Sequence, residues 1–163
     1  MDNESSQKQA ATNNETRKHI ANVASYIGLV INLLYKRAMG HDQTKLEQPE
    51  LPLFTEYTEK LAGCTYGSEE YKQFLQGLKP ALEHHYAKNR HHPEHYPNGI
   101  DDMTLIDVME MICDWKAATL RHNDGNILKS IDINMERFGI SPQLAQIMRN
   151  TVELFEHAEG ISK

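Results

Sequence analysis

His41 and Asp42 are adjacent, and Lys45 follows three residues later. A neutral ring nitrogen and an anionic oxygen from neighbouring backbone positions make an economical metal-binding pair. The doublet gains weight from potential ligands downstream at helix-compatible spacings. Five of the nine histidines fall between His84 and His95. Leu78, Leu82, His85, Asn89 and His92 follow steps of four, three, four and three, which keep side chains on one helical face. The apolar end of that face should pack inward, so His85, Asn89 and His92 are expected along the same core or cleft side. His84, Lys88, His91 and His95 start a different face. The plainer reading makes His85 a hydrogen-bonded core histidine and leaves the others solvated, because a buried polar group needs only a partner.

On the next helical segment Asp107, Glu110 or Met111, and Asp114 run along one side, bordering an apolar stripe. Asp114 precedes Trp115, close to the core boundary. A carboxylate there needs compensation from a metal, a histidine or a basic partner. Glu110 is the weaker candidate, and Asp107 is expected on the solvated face. His19 lies one helical turn before Val23, at the end of the first helix's inward face. His91-His-Pro-Glu94-His95 matches a zinc-peptidase pattern, H-x-x-E-H. Pro93 should break the single helical turn that this chemistry needs. No G-x-S-x-G and no glycine-rich phosphate loop occurs.

These residues need helices to position them. Ile20, Val23, Ala24, Ile27, Val30, Ile31 and Leu34 repeat at three and four, predicting a helix from Thr16 that stops at Gly40. Residues 1–15 read as a flexible polar tail. Pro49 and Pro52 mark residues 43–52 as an irregular connection. Further helices are expected over 53–61, from a Ser68 cap to about residue 91 or 92, and over 104–121, 127–138 and 142–157. Gly63 and Gly67 punctuate one loop, and Asn123–Asn126 forms a turn. Pro80 should kink or divide its helix, and Asp101 or Asp102 should sit near the start of the 104–121 helix. The expectation is an all-α, compact, single-domain bundle of about six helices over residues 16–160. Ile147, Val152, Leu154 and Phe155 would pack on the core or meet a second copy in a homodimer.

The 163 residues are 39% hydrophobic and 25% charged, with a net charge of -6. That charge argues against an extended nucleic-acid surface, though not against a small anion beside a divalent metal. No apolar run approaches the roughly 20 residues that span a bilayer, and the N-terminus lacks a signal-peptide centre. A cytoplasmic setting without membrane contact is expected. Cys64 and Cys113 form no close-spaced pair, and Cys113 should be a small core residue.

The ordered set His19, His41-Asp42, His85, His92 and Asp114 resembles the HD-domain superfamily of metal-dependent phosphohydrolases. That pattern is a histidine on an early helix, an adjacent His-Asp pair and a distant aspartate. Binuclear members insert two more histidines. His41-Asp42-Gln-Thr-Lys45 also resembles the H-D-x-x-K form. The blocks His84–His95 and Glu110–Trp115 look like those of a small, uncharacterised bacterial and phage family with the same plan. The resemblance covers roughly residues 17–122.

The resemblance implies that His19, His41, Asp42 and Asp114 hold one metal. His85 and His92 would complete a second site or contact phosphate. Lys45 would face the phosphate or donate a proton, Asp42 would bridge metals or act as a base, and Asn89 and Arg90 would contact substrate. The cofactor would be one or two ions of Mn, Fe, Co, Ni or Zn, and the substrate a nucleotide or another small phosphate ester. The interval from His19 to His41 is shorter than in many members. That interval and the lack of a substrate signature support an alternative: a non-catalytic, HD-like metal-binding or regulatory module.

Overall fold

A computed structural model describes residues 3–62, 69–120, 125–158 and 160. Among them are six α-helices: α1 (Asn3–Gly40), α2 (Glu50–Ala62), α3 (Glu69–Lys88), α4 (Leu105–Thr119), α5 (Ile127–Phe138) and α6 (Pro142–Ala158). Three short 3₁₀ turns complete the list, and no strand occurs among the described residues. The fold is all-α, as the periodicity predicts. No described helix is long and apolar enough to cross a membrane. The Gly63 and Gly67 loop, the Ser68 cap, Cys64 and the first two residues of the Asn123–Asn126 turn lie outside the described residues.

The chain divides into two compact units, Met1–Met39 and Gly40–Lys163. The first unit is built on α1. This helix starts at Asn3, not near Thr16, so residues 3–15 are helical where a flexible tail was expected. Their polarity marks the lack of a buried face, not a lack of helical preference. Gln, Lys and Ala are good helix formers, and Lys8–Glu4 and Lys18–Glu15 pair along the surface. Within its own unit the stripe of Ile20, Val23, Ile27, Val30 and Ile31 has no second helix to enter and is exposed.

The second unit has an apolar core where α4, α5 and α6 meet. Val108, Met111 and Ile112 of α4 pack with Ile127 and Ile131 of α5, Ile140, and Ala145, Met148 and Val152 of α6. Trp115 stacks on Phe138 at 6.4 Å. Val152 is buried and Phe155 packs against the core, while Ile147 and Leu154 are exposed. Asn126 caps α5 by accepting from the Lys129 N–H, and Gly139 ends it in the left-handed conformation at φ 64°. α3 passes through Pro80 as one helix.

The buried face of α4 carries Asp107, Val108, Met111 and Ile112. Leu105 is exposed, and so is Cys113, which was expected in the core. Asp107 is buried, against the expectation of a solvated side chain. Asp101 and Asp102 lie just before the helix start, as expected, and Thr104 caps the helix in a capping box with Asp107. The Arg90 guanidinium also donates to both Asp107 carboxylate oxygens at 3.2 Å. Burial opposes the charge, but the Thr104 and Arg90 bonds outweigh it and hold the carboxyl down at about 2.

Two outcomes follow for this cap. Thr104→Ala should lose about 1 kcal/mol in urea unfolding. Asp107 is depressed in the folded state, so its stabilisation is complete above the ordinary value of 3.8 and is lost as pH falls through about 2. The stability gap between the wild type and Asp107→Asn should therefore narrow between pH 5 and pH 2. A gap constant over that range would exclude the role assigned to this carboxylate.

Candidate metal centre

Three stretches of the second unit converge: residues 41–50, the end of α3 with the turn after it, and the inner edge of α4. His41 and Asp42 occupy the turn between α1 and a 3₁₀ turn at Gln43–Leu46. Asp42, not Gly40, takes the left-handed conformation, at φ 55° and ψ 12°. Aspartate tolerates this region better than most residues, and such positions cluster where function fixes the backbone.

α3 ends at Lys88, so the helix does not reach His91 or His92. The selection of His92 over His91 by helical phase therefore fails. The chain turns at Asn89, Pro93 opens a 3₁₀ turn, and His92 is extended. Both histidines then face the cluster, with ring centroids 4.1 Å apart. The expected choice of His85 over His84 matches its position, because His84 turns instead to Glu50.

Three groups of described side chains bring possible ligand atoms within 4.8 Å of one another. They are Asp42, His85, His91 and His92; His41, Asp42 and Asp114; and His41, His91 and Glu110. Asp42 belongs to two of them. Its Oδ1 lies 3.1 Å from His85 Nε2 and 3.5 Å from His91 Nε2. Its Oδ2 lies 3.6 Å from His41 Nε2 and accepts from Lys45 Nζ at 2.6 Å. His41 Nε2 is also 3.6 Å from Asp114 Oδ1, and His85 Nε2 is 3.0 Å from His92 Nε2.

The opposite ring nitrogens have carboxylate partners. Glu110 Oε1 lies 2.9 Å from His41 Nδ1 and 3.2 Å from His91 Nδ1. Glu50 Oε2 lies 2.9 Å from His85 Nδ1. An ionised carboxylate only accepts hydrogen bonds, so Nδ1 donates and Nε2 is left to the cluster. Within the cluster, two buried atoms have no hydrogen-bond partner among the described residues, Asp42 Oδ1 and His91 Nε2. Orphaned buried atoms of this kind need a reason. An anionic oxygen facing imidazole nitrogens matches the donor chemistry of a divalent transition metal.

The electrostatics describe the same balance. Hydrogen bonds to Asp114 and Glu110 raise His41 to about 10 despite burial. Burial, followed by the charges of His91 and His85, lowers His92 to about 3. Burial opposes charge on Asp42 and Asp114, yet His85 and the Lys45 ammonium beside Asp42, and His41 beside Asp114, hold both below the ordinary carboxylate range. His85 and His91 are buried, whereas the Asp42, His41 and Asp114 side chains are 20%, 29% and 25% exposed. The cluster is therefore closed on the α3 side and open along the His41–Asp114 side.

The other expected site residues are placed differently. Asn89 is buried and donates to Thr44 Oγ1 and the His85 carbonyl, which pins the end of α3 to the 43–46 turn. Arg90 is committed to Asp107 and lies over the Tyr96 ring at 5.2 Å. It braces the turn that carries His91 and His92. Lys45, expected to face a phosphate, donates to Asp42 Oδ2. His19 is exposed on α1, in the first unit, and belongs to none of the three groups. The peptidase-like motif is dispersed: Glu94 pairs with Arg137, and His95 Nδ1 donates to the Tyr86 carbonyl.

Sequence reasoning missed Glu50 and gave Glu110 too little weight. A helix-start signal could have found Glu50, because an acidic residue followed by proline suits a first turn. Capping-box spacing could likewise have placed Asp107.

Residues 8–154 match the model of a family described only as a family of unknown function, DUF5662. No curated protein and no solved structure matches the chain. The matched span contains every residue of the centre, and the chain belongs to the DUF5662 family.

Proposed function

We propose that this protein is a metal-dependent phosphohydrolase of HD-domain type, acting on a nucleotide or another small phosphate ester. One observation carries the reading. His85 and His91 turn their Nε2 atoms to Asp42 Oδ1, which has no hydrogen-bond partner, with His92 Nε2 beside His85 Nε2, and His41 Nε2 lies 3.6 Å from both Asp42 Oδ2 and Asp114 Oδ1. His85, His91, His92 and Asp42 would hold one ion. His41, Asp42 and Asp114 would hold a second. When bound, such ions lower the pKa of water and polarise a phosphoryl oxygen.

The remaining steps belong to the side chains. Glu110 keeps the Nδ1 protons of His41 and His91 turned away from substrate. Asp114, on the open side, would orient the attacking water and accept its proton. Lys45 Nζ is partly exposed beside Asp42 and offers its charge to a phosphate oxygen. A phosphate group would enter along the His41–Asp114 side, because His85 and His91 are buried.

Metal-loaded protein should hydrolyse members of a panel of phosphate mono- and diesters, including nucleotides. His41→Ala and Asp42→Ala should each reduce turnover by more than the 10- to 100-fold typical of outer ligand partners. Turnover that survives both substitutions would reject the reading. Metal binding without turnover would leave the regulatory module.

His41 carries a proton at neutral pH in the metal-free protein, because its folded value is raised to about 10. Metal binding at its Nε2 must release that proton. Calorimetry at pH 7 in buffers of different ionisation enthalpy should show release of about one proton or more per bound ion. Affinity should rise from pH 6 to pH 8, and a flat profile would contradict this ligand assignment.

A further inference from the structure

We propose that Glu50 is a positioning residue of the metal centre, fixing His85 with Nε2 toward the ion; this inference rests on the metal-centre reading above. Glu50 opens α2 and is fully buried. Its Oε2 accepts from His85 Nδ1 at 2.9 Å and from the Thr44 hydroxyl at 3.0 Å. Its Oε1 accepts from His84 Nδ1 at 2.7 Å. Glu50 is absent from every group of converging ligand atoms, so it lies behind the imidazole and not among the ligands. The consecutive residues His84 and His85 thus grip one carboxylate, and Thr44 closes the third side. Asn89 donates to Thr44 Oγ1 at 2.8 Å, so the hydroxyl's own proton is directed to Glu50.

This arrangement fixes two properties of His85. The tautomer is set, because a carboxylate acceptor at Nδ1 leaves the Nε2 lone pair for a metal. The ring direction is set as well, because the Phe54 ring packs near His85 in an edge contact at 6.1 Å. Carboxylate partners of this kind also raise the basicity of a ligating imidazole.

The test is Co²⁺ binding to the full chain, read by titration and by the visible d–d spectrum. Glu50→Ala should weaken Co²⁺ binding 10- to 100-fold and shift the d–d bands. Glu50→Gln keeps the volume and one acceptor oxygen, so it should fold if Glu50→Ala does not, and should lose less affinity. Glu83→Ala, an exposed carboxylate on the same helix as His85, should leave both readings unchanged. A merely structural role would lower Tm in the Glu50 variants and leave affinity and spectrum alone. Folded Glu50 variants that bind Co²⁺ within twofold of wild type, with the same spectrum, would overturn this inference alone. Wild-type protein that binds no Co²⁺ would overturn the metal-centre reading and the inference with it.

Discussion

The second unit is organised around a buried electrostatic balance. Four imidazoles sit among Asp42, Glu50, Glu110 and Asp114, with His85, His91 and Glu50 almost wholly removed from water. Isolated charges in such a place cost several kcal/mol each, so each must meet an opposite charge or a hydrogen-bond donor. The balance here is directional. Glu50 and Glu110 take the Nδ1 side of the rings, and the Nε2 side faces Asp42 and Asp114. One side is satisfied by protein, whereas the other keeps two orphaned atoms. The proposed metal centre rests on that asymmetry, since a structural salt-bridge cluster would close both sides.

α4 makes the arrangement rigid. Val108, Met111 and Ile112 enter the apolar core, while Asp107, Glu110 and Asp114 lie along the neighbouring edge. The core thereby fixes the rotation of the helix and aims its carboxylates. Asp107 extends this control to a segment with no regular structure of its own: its bidentate pair with Arg90 holds the turn that carries His91 and His92. Asn89 and Thr44 tie the other end of that turn to the loop carrying Asp42. A misplaced α4 would therefore disturb ligands on three segments at once.

The helices of the second unit were largely legible because their apolar positions repeat at the helical period. α5 spans the expected residues, and α6 differs by one at its end. The failures have local causes. Helical phase misjudged His91 because it assumed a helix that ends at Lys88. Two prolines made Glu50 read as part of a loop, although Pro52 falls in the first turn of α2, where a missing N–H costs little. Asp107 read as solvated because periodicity registers apolar residues and ignores a carboxylate satisfied by a cap and a guanidinium. The meeting of His41, Asp42 and Asp114 was readable as part of the set that the resemblance implied. The directionality of the centre was not, because spacing along a chain does not reveal which ring nitrogen meets which carboxylate.

Charge links the proposed ions to the proposed substrate. The centre gathers four carboxylates, against which stand the His41 imidazolium and the Lys45 ammonium. The whole chain has a net charge of -6. A phosphate ester approaching the metal-free centre meets repulsion from Asp42 and Asp114 on the side that is open. Two divalent ions would reverse the local sign, and one would reduce it, without rearranging the fold, since a bound cation is the largest charge in such a site. On this reading Lys45 has two states. It neutralises Asp42 in the metal-free protein, and it is released toward phosphate when an ion takes over Asp42. Substrate affinity would then depend on ion occupancy through charge alone, and an acidic protein could bind an anionic substrate only at the place where its own carboxylates hold a metal.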